Sequence, residues 1–181
     1  MAEEASVFSY DHIGIEVGKT GDFDAVAGSG SVSLTENVYL SGFVNSGSKT
    51  EELGNGTSKK TNMSEYTVSL GAHNDLTQFG SPIPMDVFYQ AGYRQIHISD
   101  DLSVNDGGLT VKTGLKTNFN IPAIELTGYT GFDRDNHSNT KNEHFFGSEV
   151  NYFFSDEFSL GLDYTHKVHE KAVFAKFDYH F

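Results

Sequence analysis

Lys171-Ala-Val-Phe-Ala-Lys-Phe-Asp-Tyr-His-Phe181 is the stretch on which the fold turns. Taken every second residue, Val173, Ala175, Phe177, Tyr179 and Phe181 share one face. Ala172, Phe174, Lys176, Asp178 and His180 share the other. Side chains alternate across a strand, so this is a strand with one apolar and one mostly polar side. The same rhythm recurs upstream. Ile13, Ile15 and Val17 alternate with His12, Gly14 and Glu16; Tyr66, Val68, Leu70 and Ala72 with Thr67, Ser69, Gly71 and His73; Val87, Tyr89, Ala91 and Tyr93 with Phe88, Gln90, Gly92 and Arg94. The reading gives ten strands, at residues 9–19, 23–34, 38–44, 66–73, 87–94, 109–116, 124–133, 146–154, 158–165 and 171–181, and no helix of useful length.

Composition favours a membrane strand over a membrane helix. No apolar run in the 181 residues approaches the roughly 18 that a membrane helix needs, whereas a membrane strand needs about 9–11, half of them apolar. A mean hydropathy of -0.39 suits a barrel with a polar interior. Cysteine and tryptophan are absent, so an interfacial belt must use Tyr and Phe. The net charge of -13 offers no basic stripe, which excludes nucleic acid as a partner. Met1-Ala-Glu-Glu-Ala lacks a basic start and an apolar core, so the expectation is a secretory signal already removed, with Met1 added.

The expected fold is all-β: a closed antiparallel up-and-down transmembrane β-barrel of about ten strands, eight being the alternative count, in a single domain over residues 1–181. An even number puts both termini on one side. The connections agree. Residues 46–62, 100–108 and 135–142 read as long polar loops on one side; 35–37, 119–122 and 155–157 read as tight turns on the other, with 74–84 as the exception. Aromatics gather at strand ends, with Tyr152, Phe154, Phe158, Tyr179 and Phe181 at one rim and Tyr93, Phe132 and Tyr164 at the other.

A soluble lipid-binding barrel also alternates, but its outer face would carry more Lys and Glu and fewer glycines. The polar face here is assigned to the lumen, lined by the charges Glu16, Arg94, Lys112, Lys116, Glu125, Glu149, Asp163 and Lys176, with Asp178. A buried charge without a partner is expensive, so Glu16, Glu125 or Glu149 is expected to pair with Arg94, Lys112 or Lys116, narrowing or closing the lumen. A channel for small solutes or ions is the alternative. His97, His137, His144, His166 and His169, with Asp100, Asp101, Asp133 and Asp135, could bind a divalent metal, and the acidic run at 133–139 has the spacing that begins a calcium loop; it lacks the central Gly and final Glu of such a loop, so solvated loop polarity is the preferred reading. Neither a cofactor, nor a metal, nor a nucleophile elbow is read.

The terminal stretch resembles the signal by which bacterial outer-membrane barrels are recognised for insertion, carried by Phe177, Tyr179 and Phe181; Lys176 stands where that signal often has Gly. The chain as a whole resembles small outer-membrane barrels of the Ax21-like family, through Phe8-Ser-Tyr10, Gly30-Ser-Val-Ser-Leu-Thr-Glu-Asn-Val-Tyr-Leu-Ser-Gly42, Tyr66-Thr-Val-Ser-Leu-Gly-Ala-His73 and the aromatic terminus. The resemblance implies a Gram-negative outer-membrane or vesicle-associated protein, with outer-membrane lipid, lipopolysaccharide and the barrel assembly machinery as partners. It supplies no catalytic residue and leaves any extracellular partner open. Ten strands also bring the omptin-like surface proteases into view, with His97 beside Asp100 and Asp101, or Asp133 beside His137, at the rim. This chain is much shorter, and its loops cannot wall a peptide cleft.

Overall fold

In the computed structural model, which describes residues 8–53, 56–99, 104–135, 143–168 and 170–181, the two-residue rhythm becomes ten antiparallel strands. They are β1 (His12–Thr20), β2 (Phe23–Thr35), β3 (Val38–Leu53), β4 (Thr57–Asp75), β5 (Met85–Ser99), β6 (Val104–Thr117), β7 (Ile124–Asp135), β8 (Glu143–Phe153), β9 (Phe158–Lys167) and β10 (Lys171–His180). Each pairs with its neighbours in sequence, and β1 pairs with β10, so the sheet closes on itself. The closing seam sets Ile13 opposite Tyr179, Ile15 opposite Phe177 and Val17 opposite Ala175. An open edge in lipid would leave each backbone polar group unsatisfied at several kcal/mol, and closure removes every such edge.

The faces sort as the alternation requires. Ile15 is 66% exposed, Leu70 54% and Phe177 39%, while Glu16, Ser69 and Asp178 beside them on the same strands are buried. Such a continuous apolar exterior around a charged interior is the reverse of a water-soluble barrel. Outward rings mark both rims. At the end carrying both termini, hereafter the near end, Phe154, Phe158, Phe177, Tyr179 and Phe181 form one stacked patch, with centroids 5.3–6.4 Å apart. Phe132, Phe146 and Tyr164 stand toward the far end.

Strand length sets where the membrane band stops. Ten residues in β9 or β10, rising about 3.3 Å each and tilted about 40°, cover about 25 Å, the height of an apolar band. β3 and β4 have 16 and 19 residues and overshoot. This corrects the expectation of a loop at 46–62. Pairing of β2 with β3 ends at Asp24 and Ser48, and pairing of β4 with β5 begins at Asn62 and Ser99. Residues 49–53 and 57–61 thus pair only with each other among the described residues, as a ribbon standing beyond the rim. Likewise 104–108 belongs to β6 rather than to a loop. The sequence rhythm fails there because a ribbon in water needs no apolar face. The expected loops at 100–103 and 136–142 lie outside the described residues.

The near-end connections are short. Residues 76–84 make a single 3-10 turn, Thr77–Phe79, closed by Gly80 at φ 92°, a left-handed conformation that glycine adopts freely.

Candidate functional site

The inward parity collects the candidate residues into one cavity of about 330 Å³. All eight charges named from the sequence line it, as does Asp178. Its wall is built by pairing large inward side chains with glycines on the next strand. Tyr39 lies over Gly71, Phe88 over Gly114, Phe145 over Gly131 and Tyr129 over Gly147, each ring occupying the space a Cβ would take. Lysines cover several of these rings. Lys112 Nζ stands 5.0 Å from the Tyr129 centroid and 5.8 Å from that of Phe88, and Lys167 Nζ 5.9 Å from that of Phe145. These four glycines are therefore seats for rings rather than open space.

Among the described residues, three groups of ion pairs line the lumen. At the far end Arg94 Nε donates to Glu65 at 2.6 Å and its Nη1 to Asp133 at 3.1 Å, while Lys167 Nζ reaches the same Asp133 oxygen at 3.0 Å. This chain of charge runs from β4 and β5 across to β7 and β9. In the middle Lys176 Nζ donates to Glu149 at 2.6 Å and lies 3.4 Å from Asp178. At the near end Lys116 meets Glu125 at 3.1 Å. Of the expected pairings, Lys116 with Glu125 is present. Glu149 instead takes Lys176, Arg94 takes Glu65 and Asp133, Lys112 meets rings, and Asp163 accepts from Tyr129 Oη and Thr165 Oγ1 at 3.1 and 3.2 Å. Sequence reasoning missed Glu65 as a lumen charge, although continuing the β4 parity back from Thr67 would have found it. Asp133 had been considered for metal binding or a protease-like rim; its carboxylate is committed inward to Arg94 and Lys167.

The near end is filled from an unexpected direction. Residues 9–11, read as the start of the first strand, are not part of it; β1 begins at His12, and the segment from Phe8 turns into the barrel. Phe8 and Tyr10 are buried with Tyr39 and Phe88. The Tyr10 ring stacks on His73 at 3.9 Å and on Tyr39 at 4.8 Å, Lys116 Nζ lies 4.7 Å from its centroid, and its hydroxyl donates to Asp86 at 3.2 Å. The segment is pinned by the Ser33 N–H donating to the Asp11 carboxylate and by the Phe181 N–H donating to the Asp11 carbonyl at 3.3 Å. First and last residues of the barrel thus hold the plug together.

One arrangement has the look of catalytic machinery. Ser159 Oγ lies 2.9 Å from His180 Nε2. Yet Ser159 is 0% exposed, and His180 Nδ1 has no hydrogen-bond partner to orient the ring. A nucleophile needs both access and an oriented base, and this pair has neither. His144 and His166 lie in tilted ring contacts with Phe132 and Phe146. Asp100, Asp101, His137 and His169 lie outside the described residues. Among the described residues, no three His, Cys, Asp or Glu side chains come together to hold a metal ion.

Closed, ten-stranded, antiparallel, apolar outside and charged within, the fold is that of an outer-membrane β-barrel. Solved structures agree. A KdgM porin superposes over 94% of this chain and 99% of its own at TM-score 0.56 and 11% identity. The translocator domain of the autotransporter NalP from Neisseria meningitidis does so over 96% and 89%, at 0.54 and 12%. The β domain of the Bordetella autotransporter Brka does so over 94% and 98%, at 0.52 and 10%. At these identities the likeness is one of fold. No protein-family model matches the chain, nor does any curated protein.

Proposed function

We propose that this chain is a non-enzymatic barrel of the bacterial outer membrane whose lumen is shut at rest, and that it works through its surface. The far-end connections and the β3–β4 ribbon face outward in this reading, where they serve an interaction or structural role at the cell surface or in vesicles, as the Ax21-type resemblance also implies. Outer-membrane lipid and lipopolysaccharide surround the apolar belt. The barrel assembly machinery reads Phe177, Tyr179 and Phe181, whose exposed rings are on the lipid side. The observation that carries the closed state is the double obstruction: an ion-pair chain from Glu65 to Lys167 at one end and Tyr10 packed among His73, Tyr39 and Lys116 at the other. The test is planar-bilayer recording of the purified, refolded protein. No steps above leak are expected, and discrete reproducible openings would overturn the closed state.

The second reading is a narrow passage for small solutes or ions. The residual cavity favours it, since its lining runs from Lys167 and Glu170 at the far end to Tyr10 and His180 at the near end. One similar structure is a KdgM porin in complex with disordered oligogalacturonate. This lumen does not suit a polyanion, because eight carboxylates line it against five lysines and arginines. A passage here would favour cations.

A further inference from the structure

We propose that the outer wall at the far end, across β7 to β10, is a docking surface for the phosphate groups of the far-leaflet lipid, which is lipopolysaccharide if that end faces outward. The identity of the lipid rests on the outward reading above. Charge is spread unevenly over the outside of the barrel. Outside the cavity, the described lysines and arginines are Lys19, Lys49, Lys59, Lys60, Arg134 and Lys171, all in the far parts of their strands. The near-end connections at 36–37, 76–84, 118–123 and 154–157 hold no lysine or arginine, but carry Glu36, Asp156 and Glu157. Lys49, Lys59 and Lys60 belong to the ribbon, and Lys19 is matched by Asp24 at 3.0 Å. Arg134 and Lys171 remain, with no ion pair among the described residues.

Strand register gathers these two with a pair of imidazoles. Arg134 follows Phe132 on the outward parity of β7, and Phe132 pairs with His144 of β8. Phe146 of β8 pairs with His166 of β9, which pairs with Lys171 of β10. Cross-strand partners share a face, and Phe146 is 56% exposed, so the whole row lies on the lipid side. Each imidazole leans on a ring, His166 at 4.9 Å from Phe146 and His144 at 6.5 Å from Phe132. Arg134, His144 and Lys171 are exposed. The described carboxylates of these four strands turn the other way. Glu125, Asp133, Glu149, Asp163 and Asp178 line the cavity, and Glu143 pairs with inward Asp133. The result is a stripe of four nitrogen donors just beyond a row of rings. Aromatic rings settle at the membrane interface, and lipid phosphates lie a step farther from the hydrocarbon. A guanidinium fits phosphate oxygens with two parallel bonds, an ammonium meets them as a point charge, and an imidazole N–H can donate to them. In a chain of net charge -13, a basic stripe cleared of carboxylates is complementary to an anionic leaflet.

The test titrates the refolded full chain, held in an uncharged maltoside detergent, with diphosphorylated lipid A, with the same lipid stripped of phosphate, and with inorganic phosphate. The lipid retained by each barrel is measured after gel filtration. The expected result is saturable binding of the diphosphorylated lipid, weakened by salt and by loss of its phosphates. Changing Arg134→Gln and Lys171→Gln together should lower its affinity about ten-fold. Glu157→Gln at the near end should leave it unchanged, and inorganic phosphate should not displace the lipid at equal concentration. Equal binding of the stripped lipid, undiminished binding by the double variant, or displacement by inorganic phosphate would overturn the proposal. If the double variant gives no compact band on a heat-modifiability gel, Arg134→Gln and Lys171→Gln are read singly, each with a several-fold loss. Orientation is read separately by trypsin on intact cells. Cleavage at Lys59 and Lys60 only after permeabilisation would overturn the outward reading, whereas the titration in detergent reports on the stripe whichever way the barrel faces.

Discussion

At its far end the lumen is crossed by charge, Glu65 to Arg94 to Asp133 to Lys167, each partner on a different strand. At its near end it is filled mainly by rings, Phe8 and Tyr10 against Tyr39, Phe88 and His73, with Asp86 met by Tyr10 Oη and His73 Nδ1 and the pair Lys116–Glu125 beside them. The two closures fail differently. A buried ion chain is stable only when complete, since removing one member strands the others in a medium that cannot solvate them. A ring cluster loses stability in smaller steps, one contact at a time.

The largest effect should follow from breaking the charge chain. Arg94→Met leaves Glu65 without its cation and Asp133 with Lys167 alone, and should cost about 3–5 kcal/mol in urea unfolding from lipid vesicles. The wall between the closures sets the next scale. Leu70→Arg puts a charge into lipid and should cost about 2–4 kcal/mol near the midplane, whereas Thr67→Arg, which points into the cavity, should cost less. Tyr10→Phe keeps the plug's ring and removes the bond to Asp86, for about 1 kcal/mol by the same unfolding assay. A cost near that of Arg94→Met would mean that the near end also depends on a polar network.

Glu170, in the connection between β9 and β10, sharpens the contrast in pH. Burial raises its carboxyl above the usual range against the pull of Lys167. The folded state then binds this proton more tightly than the unfolded state, so the group's contribution falls as pH rises through the acid range. Glu170→Gln should remove that fall, an effect under about 1 kcal/mol in pH-dependent unfolding. Smallest of all is the ribbon. Replacing residues 50–60 by a tight turn should change stability by no more than about 0.5 kcal/mol, because the described residues of this stretch form their strand ladder only with the other arm of the ribbon.

Much of this was legible in the sequence where lipid imposes it. A strand in a membrane must be apolar on one face, so β10, β4 and the lumen charges followed from counting by two. What crosses the barrel was not legible. Arg94 reaches Asp133 over the intervening strand β6, and Lys167 reaches it over β8, contacts that no spacing along the chain encodes. Tyr10 was misread because a ring two residues before a strand keeps the strand's rhythm while belonging to the plug. Within 46–62, residues 49–53 and 57–61 were misread for the opposite reason, since their β-structure stands beyond the rim and carries no alternation.

The central claim, that the even-numbered face of β4 meets lipid and the odd-numbered face meets the lumen, has a direct measurement. The chain contains no cysteine, so single cysteines at Tyr66, Thr67, Val68, Ser69 and Leu70 can each carry a fluorophore without background. In vesicles of brominated lipid, labels at 66, 68 and 70 should be strongly quenched and labels at 67 and 69 should not. Equal quenching along the series, or quenching at 67 and 69 alone, would contradict the account.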